Sequence, residues 1–181
     1  MTGVSPDGQT GAFGQDDRRL AGLLKIETGL RMDKPRGYPF QILPRIGAIY
    51  RVSEEIGLRA SAGMGYKAAT IFSDQSDPCA IYQILPSGGD IVPEKSVGGE
   101  FDITYNAVLF DELSLDIDRA LFFARVKNPF ILQTQTISPQ QFFSMSNAGG
   151  YLSSWGAETD IKLTYADMQV NIGYTYTDCE G

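Results

Sequence analysis

Residues 57–105 contain two segments in which apolar and polar residues alternate strictly, separated by a long connection. Successive side chains of a β-strand point to opposite faces, so this period of two predicts strands with one apolar and one polar face. The connection between them contains several Gly and Pro residues, which are typical of a loop. The apolar positions are Leu58, Ala60, Ala62, Met64 and Tyr66 before the loop, and Val97, Gly99, Phe101, Ile103 and Tyr105 after it.

Comparable segments follow one another along most of the chain and predict about eight strands. The turns at residues 53–55, 110–112 and 166–167 are short, whereas residues 68–94 and 129–141 form long connections. In an up-and-down topology alternate connections share a rim, so we expect both long connections at one end of the sheet and the three short turns at the other. The remaining strands are predicted at residues 11–20, 24–33, 42–52, 113–126, 142–151, 155–165 and 168–178, of which 142–151 and 155–165 read as one long strand interrupted near residues 149–150.

Fifteen charged residues of these segments occupy the polar positions, whereas one strand carries cations at apolar positions. A strand that crosses lipid tolerates charge on its lumen side, whereas Arg or Lys facing lipid at the bilayer midplane costs about 2–4 kcal/mol. The pattern is therefore typical of an outer-membrane β-barrel. A soluble antiparallel sheet with one wet face would explain the alternation equally well, but not so many charges within strands or the contrast between short turns and long loops. The charges predicted to share the lumen face are Lys25, Glu27, Arg31, Asp33, Arg45, Arg51, Arg59, Lys67, Glu100, Asp102, Asp116, Asp118, Glu158, Asp160 and Lys162.

The exception is the strand after Leu113, where strict alternation would carry three cations to the apolar face: Arg119, Arg125 and Lys127. A β-bulge near residues 118–119 would shift the parity and turn all three cations toward the lumen, so we predict a bulge there. It would also turn four apolar side chains toward lipid: Ala120, Phe122, Ala124 and Val126. The alternative is a regular strand whose Arg119 lies unfavourably on the apolar face.

Several motifs resemble those of one family, the TonB-dependent outer-membrane receptors. Two of them flank the long connection: Gly65-Tyr66-Lys67-Ala68-Ala69-Thr70, in which Ala69 replaces the family's usual proline, and Pro93-Glu94-Lys95-Ser96. Further matches occur in family order over residues 24–178, at Arg45-Ile46-Gly47, Asn147-Ala148-Gly149, Gly156-Ala157-Glu158 and Tyr174-Thr175-Tyr176-Thr177-Asp178.

The resemblance implies an all-β, antiparallel up-and-down meander of about eight strands that is part of a larger transmembrane β-barrel in the bacterial outer membrane. Residues 1–10 would be a disordered or partial loop, and residues 11–181 a partial barrel without its plug domain. The parent protein would import a scarce nutrient, with a ferric siderophore favoured over cobalamin or an oligosaccharide. Its partners would be the plug, the remaining barrel strands, the periplasmic TonB protein, outer-membrane lipid and a small extracellular ligand that contacts residues 68–94 and 129–141.

Composition and sequence features argue against several other classes of protein. No run of about 18 apolar residues occurs, which excludes a transmembrane helix, whereas a barrel strand needs only about 9–11 residues. No signal peptide opens the chain, which we take as a further indication of a fragment. The formal charge of −7 comes without a basic patch, so no nucleic-acid partner is expected. Cys79 and Cys179 lie far apart and are a weak signal for a disulfide.

Catalysis is not expected either. The chain has no histidine, which excludes Ser-His-Asp and Cys-His catalysis, and no cofactor or metal motif is present. The carboxylate pairs Asp116/Asp118 and Glu158/Asp160 are better explained as lumen charges. Two other classes stay open, a small complete eight-stranded structural barrel and a soluble carbohydrate-binding β-sandwich. Aromatic residues near strand ends are compatible with a membrane-interface girdle or with ordinary strand propensity: Tyr50, Tyr66, Phe122, Phe123, Tyr174 and Tyr176.

Overall fold

The computed structural model describes residues 10–20, 22–68, 91–110, 112–137 and 140–181, and all regular secondary structure in them is β-strand. This part of the chain contains no helix long and apolar enough to cross a membrane. The strands are β1 (Thr10–Leu20), β2 (Leu24–Lys34), β3 (Gln41–Arg51), β4 (Ile56–Lys67), β5 (Glu94–Leu109), β6 (Leu113–Lys127), β7 (Phe130–Ile137), β8 (Gln140–Asn147), β9 (Tyr151–Tyr165) and β10 (Met168–Glu180).

Eight of these strands form one antiparallel sheet in the order β1-β2-β3-β4-β5-β6-β9-β10, and β7 pairs only with β8. The predicted meander of about eight strands is thereby confirmed. Within the described residues β1 and β10 are the edges of the sheet, which is open. The strands of the sheet are 11 to 16 residues long, enough for each to cross a bilayer.

The connections alternate in length, as the sequence predicts. Each strand of the meander runs opposite to its neighbour, so the turns at residues 53–55, 110–112 and 166–167 share one rim. The connections after β2, β4 and β6 start and end at the other rim, which we call the long-loop rim. The second long connection contains the β7–β8 hairpin. Residues 1–9 and 69–90, which include most of the first long connection and of the predicted disordered start, lie outside the described residues.

The prediction for residues 129–151 was wrong in two respects. Residues 129–141 are not a simple loop, because β7 occupies most of them, and β8 is not continuous with β9. The chain turns between β8 and β9 at Gly150, whose φ of 105° is a conformation that favours glycine. Residues Gln133 to Thr136 are all polar and show no alternation of apolar and polar residues, so the sequence pattern did not predict β7.

The predicted β-bulge at residues 118–119 is also wrong. β6 pairs without interruption from residue 113 to residue 127 with both β5 and β9, and Arg119 lies opposite Ile103 and Thr159. Unbroken pairing keeps Leu121 and Phe123 on the apolar face, where a bulge would have turned them inward. It leaves Phe122 on the charged face opposite Gly156, where a Cβ would clash with the Phe122 ring. The glycine thus leaves space for the ring.

The described part of the chain has no buried hydrophobic residue. Its buried residues of polar type are Asp33, Gln41 and Ser153. A single sheet cannot cover its own faces, and no second sheet of comparable size packs against it in the described residues. The apolar side chains therefore need another medium or another part of a protein to cover them.

Candidate functional site

The register divides the eight-stranded sheet into two chemically distinct faces, since residues directly opposite each other on neighbouring strands share a face. One continuous row crosses six strands through Lys25, Ile49, Arg59, Asp102, Ala120 and Glu158. The adjacent row crosses them through Leu24, Tyr50, Leu58, Ile103, Arg119 and Thr159. We call the face of the first row the charged face and that of the second the apolar face. All fifteen charges predicted to share a face lie on the charged face.

The charged face carries ion pairs near the β1 edge. Lys25 Nζ lies 3.4 Å from an Asp17 carboxylate oxygen and also pairs with Glu27. Arg31 Nε donates to Asp33 at 2.8 Å, and the Asp33 side chain is almost fully buried. Pairs with exposed partners contribute little to stability, so these contacts mainly neutralise charge on this face.

Farther along, the charged face holds an acidic depression of about 430 Å³ in the middle of the sheet. Asp118 lies directly opposite Asp160, while Asp116 lies opposite Lys162. The carboxylates predicted as lumen charges are thus brought together by pairing of β6 with β9. No group of three or more acidic, Cys or His residues in the described part of the chain has a geometry that could hold a metal ion. The charged residues lining the depression on this face are Arg59, Asp102, Asp118, Glu158 and Asp160.

The apolar face exposes large side chains along its whole length. Ile46 and Ile172 are more than half exposed, as is Tyr174, and the Trp155 and Tyr176 rings lie 5.7 Å apart on this face. In a soluble monomer a contiguous apolar surface of this extent would be unusual. It must face lipid or another protein surface.

The candidate girdle residues do not all lie on the apolar face near strand ends. Tyr50 and Tyr66 lie near strand ends on the apolar face, whereas Phe122 lies on the charged face and within β6. Sequence reasoning missed Tyr151 and Tyr165, which are the two terminal residues of β9 and are about half exposed. Their positions follow from the strand boundaries, which periodicity alone leaves uncertain.

At the long-loop rim, side chains fasten the β7–β8 hairpin to the start of β5. The Asn147 amide accepts a hydrogen bond from the Val92 N–H at 2.9 Å and donates to the carbonyls of Val92 and Asn128 at 2.9 and 2.8 Å. The Glu94 carboxylate accepts a hydrogen bond from the Phe130 N–H. The structure therefore gives the second long connection a defined base. Sequence analysis noted Asn147 and Glu94 only as members of motifs.

Cys179 is exposed near the end of β10, and Cys79 lies outside the described residues.

The fold is shared with solved structures that include the following three. The siderophore receptor PirA from Pseudomonas aeruginosa is 18% identical, with a TM-score of 0.75 over 94% of this chain and 32% of its own. The FrpB iron transporter from Neisseria meningitidis is 17% identical, with a TM-score of 0.71 over 94% of this chain and 25% of its own. The Serratia marcescens hemophore receptor HasR, solved with its hemophore HasA and heme, is 14% identical, with a TM-score of 0.72 over 94% of this chain and 34% of its own.

This chain thus spans about a quarter to a third of the length of these proteins. No curated protein matches the sequence. The family described as TonB dependent receptor-like, beta-barrel matches residues 3–181, nearly the whole chain. The open, two-faced meander and this match lead to the same conclusion: the chain belongs to the TonB-dependent receptor family, within its β-barrel domain.

Proposed function

We propose that this chain forms one side of the β-barrel of a bacterial outer-membrane receptor that imports a ferric siderophore. The observation that carries the proposal is the two-faced sheet without a core, apolar and exposed on one side and charged on the other. Lipid outside and water inside a barrel would stabilise such a sheet. Neither a soluble β-sandwich nor a small closed barrel accounts for it, since the described strands include no second large sheet and leave two open edges.

The rest of the barrel and its plug would come from other parts of the parent protein. Barrels of outer-membrane transporters have about 22 strands and a plugged lumen, compared with the eight strands of this sheet. We propose that the charged face contacts the plug and that the periplasmic TonB protein acts on that plug. The acidic depression would then favour basic side chains of the plug, since opposite charges across an interface fix its register.

The substrate class is supported by the proteins of similar fold. Those three proteins are a siderophore receptor, an iron transporter and a hemophore receptor solved with heme, and siderophores and heme both bind iron. The β7–β8 hairpin lies at the long-loop rim and the connection after β4 starts there, and recognition residues concentrate on loops of a rigid scaffold. A ferric siderophore is therefore the ligand class that we test first, and haem is the second.

The test uses a strain that lacks the complete gene and grows under iron limitation. Uptake of radiolabelled iron is measured for hydroxamate, catecholate and mixed siderophores, with haem in parallel. We expect the deletion to abolish uptake of at least one ferric siderophore and the intact gene to restore it. Heat-dependent gel mobility of outer-membrane fractions reports separately whether the protein forms a membrane barrel.

Two variants separate loss of ligand recognition from loss of the barrel. Replacing residues 130–147 by a short Gly-Ser linker should abolish uptake without lowering the amount of barrel in the membrane. A two-residue Gly insertion in the turn at residues 166–167, on the opposite rim, should leave uptake unchanged. Uptake of haem alone, or of no iron complex, would contradict the siderophore assignment, and a protein absent from the outer membrane would contradict the receptor assignment.

A further inference from the structure

Three cations lie together on the apolar face of the sheet at its long-loop rim. We call Lys95, Arg125 and Lys127 the rim cations. Lys95 and Lys127 lie directly opposite each other on β5 and β6, and Arg125 lies two residues from Lys127 along the same face. All three are exposed. The unbroken pairing of β6 places Arg125 and Lys127 on this face, whereas a bulge would have turned them to the other face.

The arrangement is electrostatically unfavourable unless an anion is present, because like charges directly opposite on neighbouring strands destabilise a sheet. Glu94, next to Lys95 in the chain, belongs to the opposite face and accepts a hydrogen bond from Phe130. The acids nearest on the same face are Asp178 and Glu180 on β10, and the whole of β9 separates them from β6. None of the rim cations has a carboxylate within 4.0 Å in the described part of the chain.

Tyrosines on both sides of the rim cations indicate the depth at which they lie. One row across four strands reads Tyr66, Lys95, Lys127 and Tyr151. The Arg125 guanidinium carbon lies 3.8 Å from the centroid of the Tyr151 ring, in the geometry of a cation–π contact. Tyrosines of membrane proteins are enriched at the level of the lipid head groups. The cations therefore lie at the level of phosphate groups rather than of acyl chains.

We infer that the rim cations form a binding site for the phosphate of an anionic membrane lipid, a site that rests on the proposed outer-membrane location. Arg and Lys donate charge-assisted hydrogen bonds to phosphate oxygens, and a lipid phosphate would neutralise the facing lysines. The Tyr151 ring holds the Arg125 guanidinium beside the membrane interface. The apolar residues that continue the same face toward the bilayer centre, Val97, Phe101 and Phe123, would contact the acyl chains of the same lipid.

The experiment measures lipid binding to the protein produced from its complete gene, by native mass spectrometry in detergent with phosphatidylglycerol and phosphatidylcholine as probes. A cation near a membrane surface contributes about fivefold to binding of anionic lipid. Lys127→Gln should therefore weaken phosphatidylglycerol binding about fivefold and leave phosphatidylcholine binding unchanged. The variant K95Q/R125Q/K127Q should lose the preference for phosphatidylglycerol altogether.

The matched control removes the same positive charge from the other face, in the variant R45Q/R59Q/K162Q, and should keep the preference. Independently of any variant, the wild-type preference should shrink as salt rises from about 0.1 M to about 1 M, because the Debye length falls from about 10 Å to about 3 Å. Equal binding of both lipids by the wild type, or retained preference in K95Q/R125Q/K127Q, would overturn the site. Displacement of the lipid by millimolar inorganic phosphate would overturn lipid as its occupant.

Barrel formation is scored separately by heat-dependent gel mobility. A protein that forms a barrel but shows no lipid preference refutes the lipid site alone. A protein that forms no barrel refutes the proposed function on which the site rests.

Discussion

Arg119 is the residue whose position conflicts most with a lipid-facing surface. It lies near the middle of β6 on the apolar face, between Ile103 and Thr159, and is exposed. Removing an arginine from the lipid face near the midplane should stabilise a barrel by about 2–4 kcal/mol. We therefore expect Arg119→Leu to raise the free energy of unfolding of the complete protein in lipid vesicles by that amount, as measured by guanidinium denaturation.

The control for this prediction is Arg59→Leu, one row away on the charged face. That face would be wet in a barrel, so removing its arginine gains nothing from lipid and should leave the protein no more stable. A destabilised Arg119→Leu protein would show that this part of the apolar face does not contact acyl chains.

Among the structural elements, the β7–β8 hairpin depends most on a few polar contacts. Asn147 joins it to Val92 and Asn128, and the hydrogen bonds lost in Asn147→Ala are worth about 0.5–1.5 kcal/mol each. We expect amide hydrogen exchange in β7, β8 and at Val92 to accelerate in this variant, while exchange in β5 and β6 stays unchanged. Asn147→Asp keeps the acceptor and loses the two donated bonds, so its effect should be intermediate.

Asn171→Ala provides a matched control on β10, near the opposite rim. In the described part of the chain its side chain accepts one hydrogen bond, an exposed one from Gln169 at 3.2 Å. Hydrogen exchange in the hairpin should not respond to this substitution. Unchanged exchange of the hairpin in Asn147→Ala would mean that backbone pairing of β7 with β8 fixes it without the side chain.

For the molecule as a whole, the open sheet makes independent folding of these residues unfavourable. β1 and β10 are unpaired edges in the described residues, and exposed edges of long apolar strands recruit other chains. We expect residues 1–181, refolded alone in detergent, to form oligomers without heat-dependent gel mobility. The product of the complete gene, refolded identically, should give a heat-modifiable monomer, and a compact heat-modifiable monomer of the short chain would contradict the prediction.

Local alternation alone determined much of the fold. A period of two predicts the strands that flank the first long connection and the order of short turns and long connections. It also predicts the face of charges such as Arg59, Asp102 and Glu158, because alternate residues of a strand point to the same face whichever strand it pairs with. The family motifs likewise required only the order of residues along the chain, and they located residues 24–178 within a receptor barrel.

Tertiary pairing decided what a single strand cannot specify. Whether β6 contains a bulge depends on the register of β5 and β9, and that register places Arg119 and the rim cations on the apolar face. The β7 segment of the hairpin does not alternate between apolar and polar residues. The hairpin is therefore recognised only from the pairing of β7 with β8 and from the polar contacts of Asn147. The rim cations are distant in sequence and become neighbours only across strands, since a cross-strand contact is a property of the sheet and not of the segments that form it.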